Sequence, residues 1–388
     1  MSNFPQVVRT QAAPGVAGDF CDDNPRSTVD AGQGAFVAGP NGVAVGQFAW
    51  IGADGVTVNS TGVGAPDGFV RRDQQSIIYQ YLAETTMVIP PGFPVTLFNA
   101  GSFFVVNNGA STAVRGNVAY ANNANGQVSF NTAGNPPTSA SVTAQLYANL
   151  VTGATLAANS ITAGSIAGTT LTVASIGAGT VLAAGQTLSG GNSTVGYVTP
   201  NTTIVAQLSG TAGGVGTYQV SISQSVASTA IGVSGGGMTV TSMGTGTVAM
   251  GQTATAAGNL AAGTVVTGVG TGNGTNNGTY ALSAAPSSAG SAIAVTMSGG
   301  TLAVTAVASG VLNINDTITG GTIAAGTYLQ SFVAGSGTLG GVGNYLVNTS
   351  TTSASGTVTV AAGTATKWVA SSVGAPGELV KMTTWLNG

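Results

Sequence analysis

The sequence predicts an all-β protein: a compact β-barrel or sandwich base domain, split by an insertion of three small β-rich repeat domains. Three observations predict it. β-prone runs recur about every 8–12 residues between Gly, Asn and Pro turn signals. A neutral stretch repeats itself in phase. Every tryptophan, and every charge except Asp316, lies at one of the two ends of the chain.

The first 150 residues read as strands and turns. Residues 43–51 are mostly apolar and β-prone, Asp54-Gly55 marks a turn, and Val56-Thr57-Val58 resumes a strand. Residues 71–82 contain few breakers. There Ile77, Ile78, Tyr81 and Leu82 suit a short helix or a buried strand equally. Pro90-Pro91-Gly92 breaks the chain. Residues 95–98 and 102–106 are strands around Asn99-Ala100-Gly101. Residues 116–121 and 127–130 form a hairpin through an Asn/Gly turn.

From 151 to 363 the chain carries Asp316 and no other Asp, Glu, Lys or Arg. Leu171-Thr172-Val173, Met238-Thr239-Val240 and Leu302-Ala303-Val304 open three units. Gly185-Gln186-Thr187, Gly251-Gln252-Thr253 and Asn315-Asp316-Thr317 recur in phase. Gly216-Thr217-Tyr218, Gly278-Thr279-Tyr280 and Gly343-Asn344-Tyr345 close them, with the tyrosines 62 and 65 residues apart. The expected repeat domains are 151–234, 235–298 and 299–363. A period of roughly 63 is long for a solenoid coil and short for an immunoglobulin-type sandwich of about 100 residues. Three small domains are therefore expected, with a continuous β-solenoid as the alternative. A disordered Gly/Ser linker does not carry phased tyrosines and Val/Ile strands.

Residues 364–388 regain charge and tryptophan, with Trp368, Glu378, Lys381 and Trp385. Their composition matches residues 1–150, so they are expected to complete that domain. Insertion is tolerated where domain termini lie close together at the surface.

Composition excludes several functions. Charged residues make up 4% of the chain, against roughly 25% in a typical soluble domain. The net charge of −3 offers no basic stripe for nucleic acid or an anionic membrane. Gly, Thr and Ser interrupt every apolar run short of the roughly 20 residues of a membrane helix. The first residues show neither a basic nor an apolar signal region, so no secretory signal is expected. The absence of histidine removes Ser-His-Asp and Cys-His nucleophile systems. A lone Cys21 excludes an intrachain disulfide and a cysteine zinc site. A polysaccharide depolymerase needs paired carboxylates, and the repeats hold one carboxylate in all. Neither catalysis nor a cofactor is expected.

The remaining clusters have plain readings. Asp19, Asp22 and Asp23 near Cys21 match no calcium-loop spacing and read as a turn neutralised by Arg26. Cys21 reads as a small semi-buried hydrophobe. The glycine-rich run 268–278 lacks any basic partner for a phosphate and reads as a β-turn. Tyr218, Tyr280 and Tyr345 are weak candidates for sugar stacking, because their common phase before a strand favours packing in the core of each repeat. Arg71, Arg72 and Asp73 are candidates for pairing across an interface.

The end segments resemble the structural cement, or capsid decoration, proteins of tailed bacteriophages. The resemblance rests on residues 67–75 running into Tyr81-Leu82, on 89–97, on the 116–130 hairpin, and on Trp368 with Ala375-Pro376-Gly377-Glu378-Leu379-Val380. It implies a compact β domain that sits on the outer surface of the head, as a homotrimer, bridging major capsid protein subunits. Arg71, Arg72, Asp73, Trp368, Glu378 and Lys381 are then the candidate capsid or trimer contacts. The repeats are expected to project outward. An alternative makes the protein a virion fibre or adhesin whose repeats bind host surface polysaccharide.

Overall fold

The structure is a computed structural model, described for residues 15–32, 34–72, 87–272 and 277–385. Every named element in it is a strand, as the sequence predicts. Most of the segment 71–82, whose helix or strand character the sequence left open, lies outside the described residues.

In chain order the first strands are β1 (Ser27–Thr28), β2 (Phe36–Ala38), β3 (Val43–Ala44), β4 (Phe48–Ile51), β5 (Thr57–Asn59) and β6 (Gly68–Val70). They are followed by β7 (Val88–Ile89), β8 (Pro94–Val95), β9 (Leu97–Ala100), β10 (Ser102–Val106), β11 (Val118–Asn122) and β12 (Val128–Asn131). β13 (Thr138–Ile176) opens the neutral stretch, with β14 (Leu188–Asn192), β15 (Gly196–Tyr197), β16 (Ile204–Gly210), β17 (Gly216–Thr245), β18 (Ala254–Thr255), β19 (Val266–Val269) and β20 (Gly278–Leu282) after it. β21 (Gly290–Gly310), β22 (Thr317–Thr319), β23 (Leu329–Phe332), β24 (Gly343–Val347) and β25 (Gly356–Ala361) complete that stretch. β26 (Gly363–Ala370) and β27 (Leu379–Thr383) end the chain.

The chain divides into two compact units. One comprises Met1–Ser141, Ser309–Ile318 and Thr359–Gly388; the other comprises Val142–Ala308 and Thr319–Val358.

The first unit is a sandwich. One sheet runs β1-β9-β6-β4-β5-β2-β8; a second runs β10-β27-β26-β11-β12; β3 and β7 form a small third. β26 and β27 sit in the interior of the second sheet, between β10 and β11. Side chains alternate across a strand, and here both faces of the first sheet are buried. Phe48, Trp50, Phe69 and Phe98 join one core, with Phe103, Val105, Phe130, Trp368, Val380 and Met382 of the second sheet. Their neighbours Ala49, Val70 and Leu97 face a second core, with Val43 and Ile89 of the small sheet. The first core is an aromatic cluster: the Phe103 ring lies 4.8 Å from Phe69 and 5.6 Å from Trp368. The predicted 116–130 hairpin is β11 and β12, paired from Val118↔Asn131 to Ala121↔Val128.

The second unit turns the sequence repeat into a structural one. Each opening triplet pairs antiparallel with its own closing triplet. Leu171 faces Tyr218, Met238 faces Tyr280, and Leu302 faces Tyr345. Val173, Val240 and Val304 face Gly216, Gly278 and Gly343 in the same register. All three tyrosines are buried.

The strands differ from three self-contained sheets. β17 carries the end of the first repeat into the start of the second, and β21 does the same for the second and third. β13 is 39 residues long, where a strand is usually about 5–6. It pairs with β17 from Leu150↔Thr245 to Val173↔Gly216. The expected boundary after residue 150 falls inside it. Its glycines, which read as turns, instead fall beside register shifts, as at Gly153, Gly164 and Gly168. Such bulges let a long strand bend without ending. The repeats nevertheless keep separate cores. Ile161, Leu171, Tyr218 and Ile231 belong to one, and Leu156, Met238, Tyr280 and Met297 to another.

Candidate functional site

Segment 15–28 runs beside β9 and β10. Cys21 donates its backbone N–H to Ser102, and Phe104 donates to Asp19. This places the half-buried Phe20 ring 5.6 Å from Phe98 and 4.9 Å from Phe103, anchored on the aromatic core. Two guanidinium groups sit on that ring. The Arg26 carbon lies 4.0 Å from its centroid and the Arg71 carbon 4.5 Å. Arg26 precedes β1 and Arg71 follows β6, so strands at different places in the sheet order deliver both charges to one ring. Each such contact contributes about 0.5–1 kcal/mol at an exposed site. More usefully, the ring holds two flexible side chains in place. Among the described residues neither arginine forms an ion pair.

The sequence candidates separate in the structure. Arg71 and Arg72 diverge, since Arg72 lies 3.8 Å from Asp19. Lys381 on β27 is exposed, with its ammonium 5.8 Å from the Phe104 ring. Trp368 is 2% exposed and belongs to the core; its ring is no contact surface. Glu378 accepts a hydrogen bond from the Ala375 N–H at 2.8 Å, closing a turn. Asp73 lies outside the described residues. Tyr218 and Tyr345 donate their hydroxyls to the Gly214 and Gly341 carbonyls. Burial pushes the Tyr218 phenol up to about 12. Tyr218, Tyr280 and Tyr345 thus pack in the cores of their repeats and offer no ring face to a sugar.

The aspartate cluster is a turn: Asp22 accepts the Asn24 N–H at 3.0 Å. Among the described residues no group of three acidic or thiol side chains could hold a metal ion. Burial, with Asp22 second, pushes the Cys21 thiol up to about 11, which keeps it protonated at neutral pH.

Sequence reasoning missed Phe20, Trp385 and the role of Arg26. Arg26 reads in sequence as the counter-charge of its neighbouring aspartates; in the structure it sits on an aromatic ring instead. The exposed Trp385 donates its indole N–H to the Pro25 carbonyl at 2.8 Å, tying the far end of the chain to the same segment. The signal available was composition alone: tryptophan and charge return together at both ends.

Residues 4–158 match the family model of the XM1 gp53 minor capsid protein. The matched segment is similar to a phage minor capsid protein. It contains Phe20, Arg26 and Arg71, and it runs into β13. The match supports a structural role in a phage capsid, and with it a place in the virion. No curated protein matches the chain.

Proposed function

We propose that the protein is a capsid decoration protein. Its sandwich unit binds the outer head shell as a homotrimer, across junctions of major capsid protein subunits, and stabilises the shell. The repeats project away from the shell. The observation that carries this reading is the Arg26–Phe20–Arg71 cluster within the family-matched segment. Arginine and aromatic side chains that are held rigid dominate binding energy at protein interfaces. Two ring-seated arginines that form no ion pair among the described residues suit an acidic capsid surface. Binding only to the assembled shell stabilises that shell by mass action.

The test adds purified protein to heads that lack it. Saturation at a multiple of three copies per local threefold position, with a raised temperature of genome release, is expected. The Arg26→Ala/Arg71→Ala double variant should bind at least about tenfold more weakly, since each anchor contributes more than about 1 kcal/mol. Its melting temperature should stay close to the parent's. Unchanged head binding by that variant sinks the role given to the cluster. A few copies at a single vertex sinks the decoration reading.

A further inference from the structure

β12 is the last strand of its sheet. In its pairing with β11, Ser129 and Asn131 lie opposite Tyr120 and Val118. Gly126 donates to Asn122 O, and Asn122 donates to Gln127 O. The period-two alternation then turns the backbone groups of Val128 and Phe130 away from β11. Val128 uses its outward carbonyl to accept the Asn108 N–H at 2.8 Å. Phe130 has no such partner among the described residues. The loop 108–111 therefore covers the edge at Val128, while Phe130, 2% exposed, is left without a main-chain partner on that side among the described residues.

A cavity of about 330 Å³ lies at this place. Its lining includes Ser111, Asn122, Gln127, Ser129, Asn131 and Thr138, and no charged residue. The amide oxygens there are engaged. Asn122 Oδ1 accepts the Ala124 N–H at 2.9 Å, Gln127 Oε1 accepts the Asn125 amide at 3.2 Å, and Asn131 Oδ1 accepts the Thr132 N–H at 2.9 Å. Each of the three NH2 groups is left, among the described residues, without a protein acceptor. The site is thus neutral and rich in donors. Gln127, just before β12, and Ser129 and Asn131 on it stand at i, i+2 and i+4, about 6.6–6.8 Å apart in extended chain. An extended peptide presents carbonyls on one side at that same repeat.

We propose that this groove takes up an extended, uncharged peptide segment of a neighbouring capsid subunit, which adds to β12 at the unpartnered main-chain groups of Phe130. The proposal rests on the capsid reading above. Main-chain bonds to Phe130 supply part of the affinity, as in strand addition generally. The amide NH2 groups of Gln127 and Asn131 and the Ser129 hydroxyl donate to the segment's carbonyls. A charged segment is disfavoured, because the lining holds no counter-charge.

The test is amide hydrogen exchange on the full-length protein, free and bound to purified heads. The expected result is exchange at Phe130 slowed at least about tenfold on heads only. The Gln127→Ala/Asn131→Ala variant should bind heads about tenfold more weakly with an unchanged melting temperature. Head binding without protection at Phe130 overturns the groove assignment and leaves the capsid reading intact. Absence of head binding by the parent protein overturns both. Protection that rises with protein concentration in the absence of heads assigns the edge to a second copy. Protection by soluble host-cell polysaccharide alone assigns it to a sugar. Either result overturns the proposal.

Discussion

Asp316 stands where the other repeats have glutamine, and the substitution matters physically. Gln186 and Gln252 each accept the N–H of the residue three before them, Ala183 at 2.9 Å and Ala249 at 2.7 Å. Their NH2 groups donate to the Val181 and Ser298 carbonyls. Asp316 keeps the first contact, with the Asn313 N–H at 3.3 Å, and adds the Ser139 hydroxyl at 2.8 Å. It has no NH2 group, and its buried Oδ1 has no partner among the described residues. Burial pushes its carboxyl from 3.8 up to about 6, against the pull of Ser139 and Asn313. The folded protein therefore holds this proton more tightly than the unfolded chain does. Stability from this group is fully present below pH 4 and is lost as pH rises through 6, by about 3 kcal/mol for a shift of roughly two units. Asp316→Asn should remove that loss. Its melting temperature at pH 7.5 should exceed the parent's, and the difference should vanish near pH 4. Equal melting temperatures at pH 7.5 would contradict the account.

At the scale of elements, the repeat works through two long strands and a few special backbone positions. The residue before Gln186, Gln252 and Asp316 is left-handed in every repeat: Gly185 at φ 86°, Gly251 at 84° and Asn315 at 74°. Asn201 at 65° corresponds in the same way to Gly263 and Gly326. Asparagine is among the few residues with a side chain that tolerate this region. The first of these equivalences was legible in the sequence as a phased triplet, and the opening and closing triplets marked the residues that the structure pairs; the Asn201 equivalence was not read there. The continuity of β13 and β17 was not legible. Their glycines carry the same letters as turn glycines, and only the partner strand shows which of them bend a strand and which end it. Gly237 is a case in point: a Cβ there would collide with the Gly179 carbonyl, because the backbones of the first two repeats meet closely. Gly237→Ala should therefore lower the melting temperature although its φ is unremarkable, whereas Gly251→Ala acts through its positive φ. Tyr218→Phe removes only the bond to Gly214 and should cost about 1 kcal/mol. Calorimetric melting compares the three, and an unperturbed Gly237→Ala would refute the close approach.

At the scale of the molecule, the same strands make the array divisible. In the sequence, the return of tryptophan at the end of the chain pointed to a shared base. The structure places β26 and β27 within the sheet of β10 and β11, and Trp368 in its core. What composition hid was which of those aromatics are core and which are surface, because Trp368 and Trp385 carry the same letter and have opposite exposure. The divisibility follows from β13 and β17 forming one long antiparallel pair in which Ala158 faces Gly236. Every residue of the first repeat's core lies between those two positions, and no residue of the second repeat's core does. Replacing 159–235 by Asn-Gly closes the pair with a turn whose twist suits antiparallel strands. It removes one hydrophobic core whole instead of cutting through one. Repeat arrays behave approximately as sums of unit and neighbour terms, so the shortened protein should fold cooperatively, losing the approach of Gly179 to Gly237 and of Val181, Ala183 and Ala212 to Gly268 and Gly270. If attachment resides in the sandwich unit, its affinity for heads should stay within about twofold of the parent's. Loss of head binding by a folded shortened protein would move attachment into the repeats and revive the fibre reading.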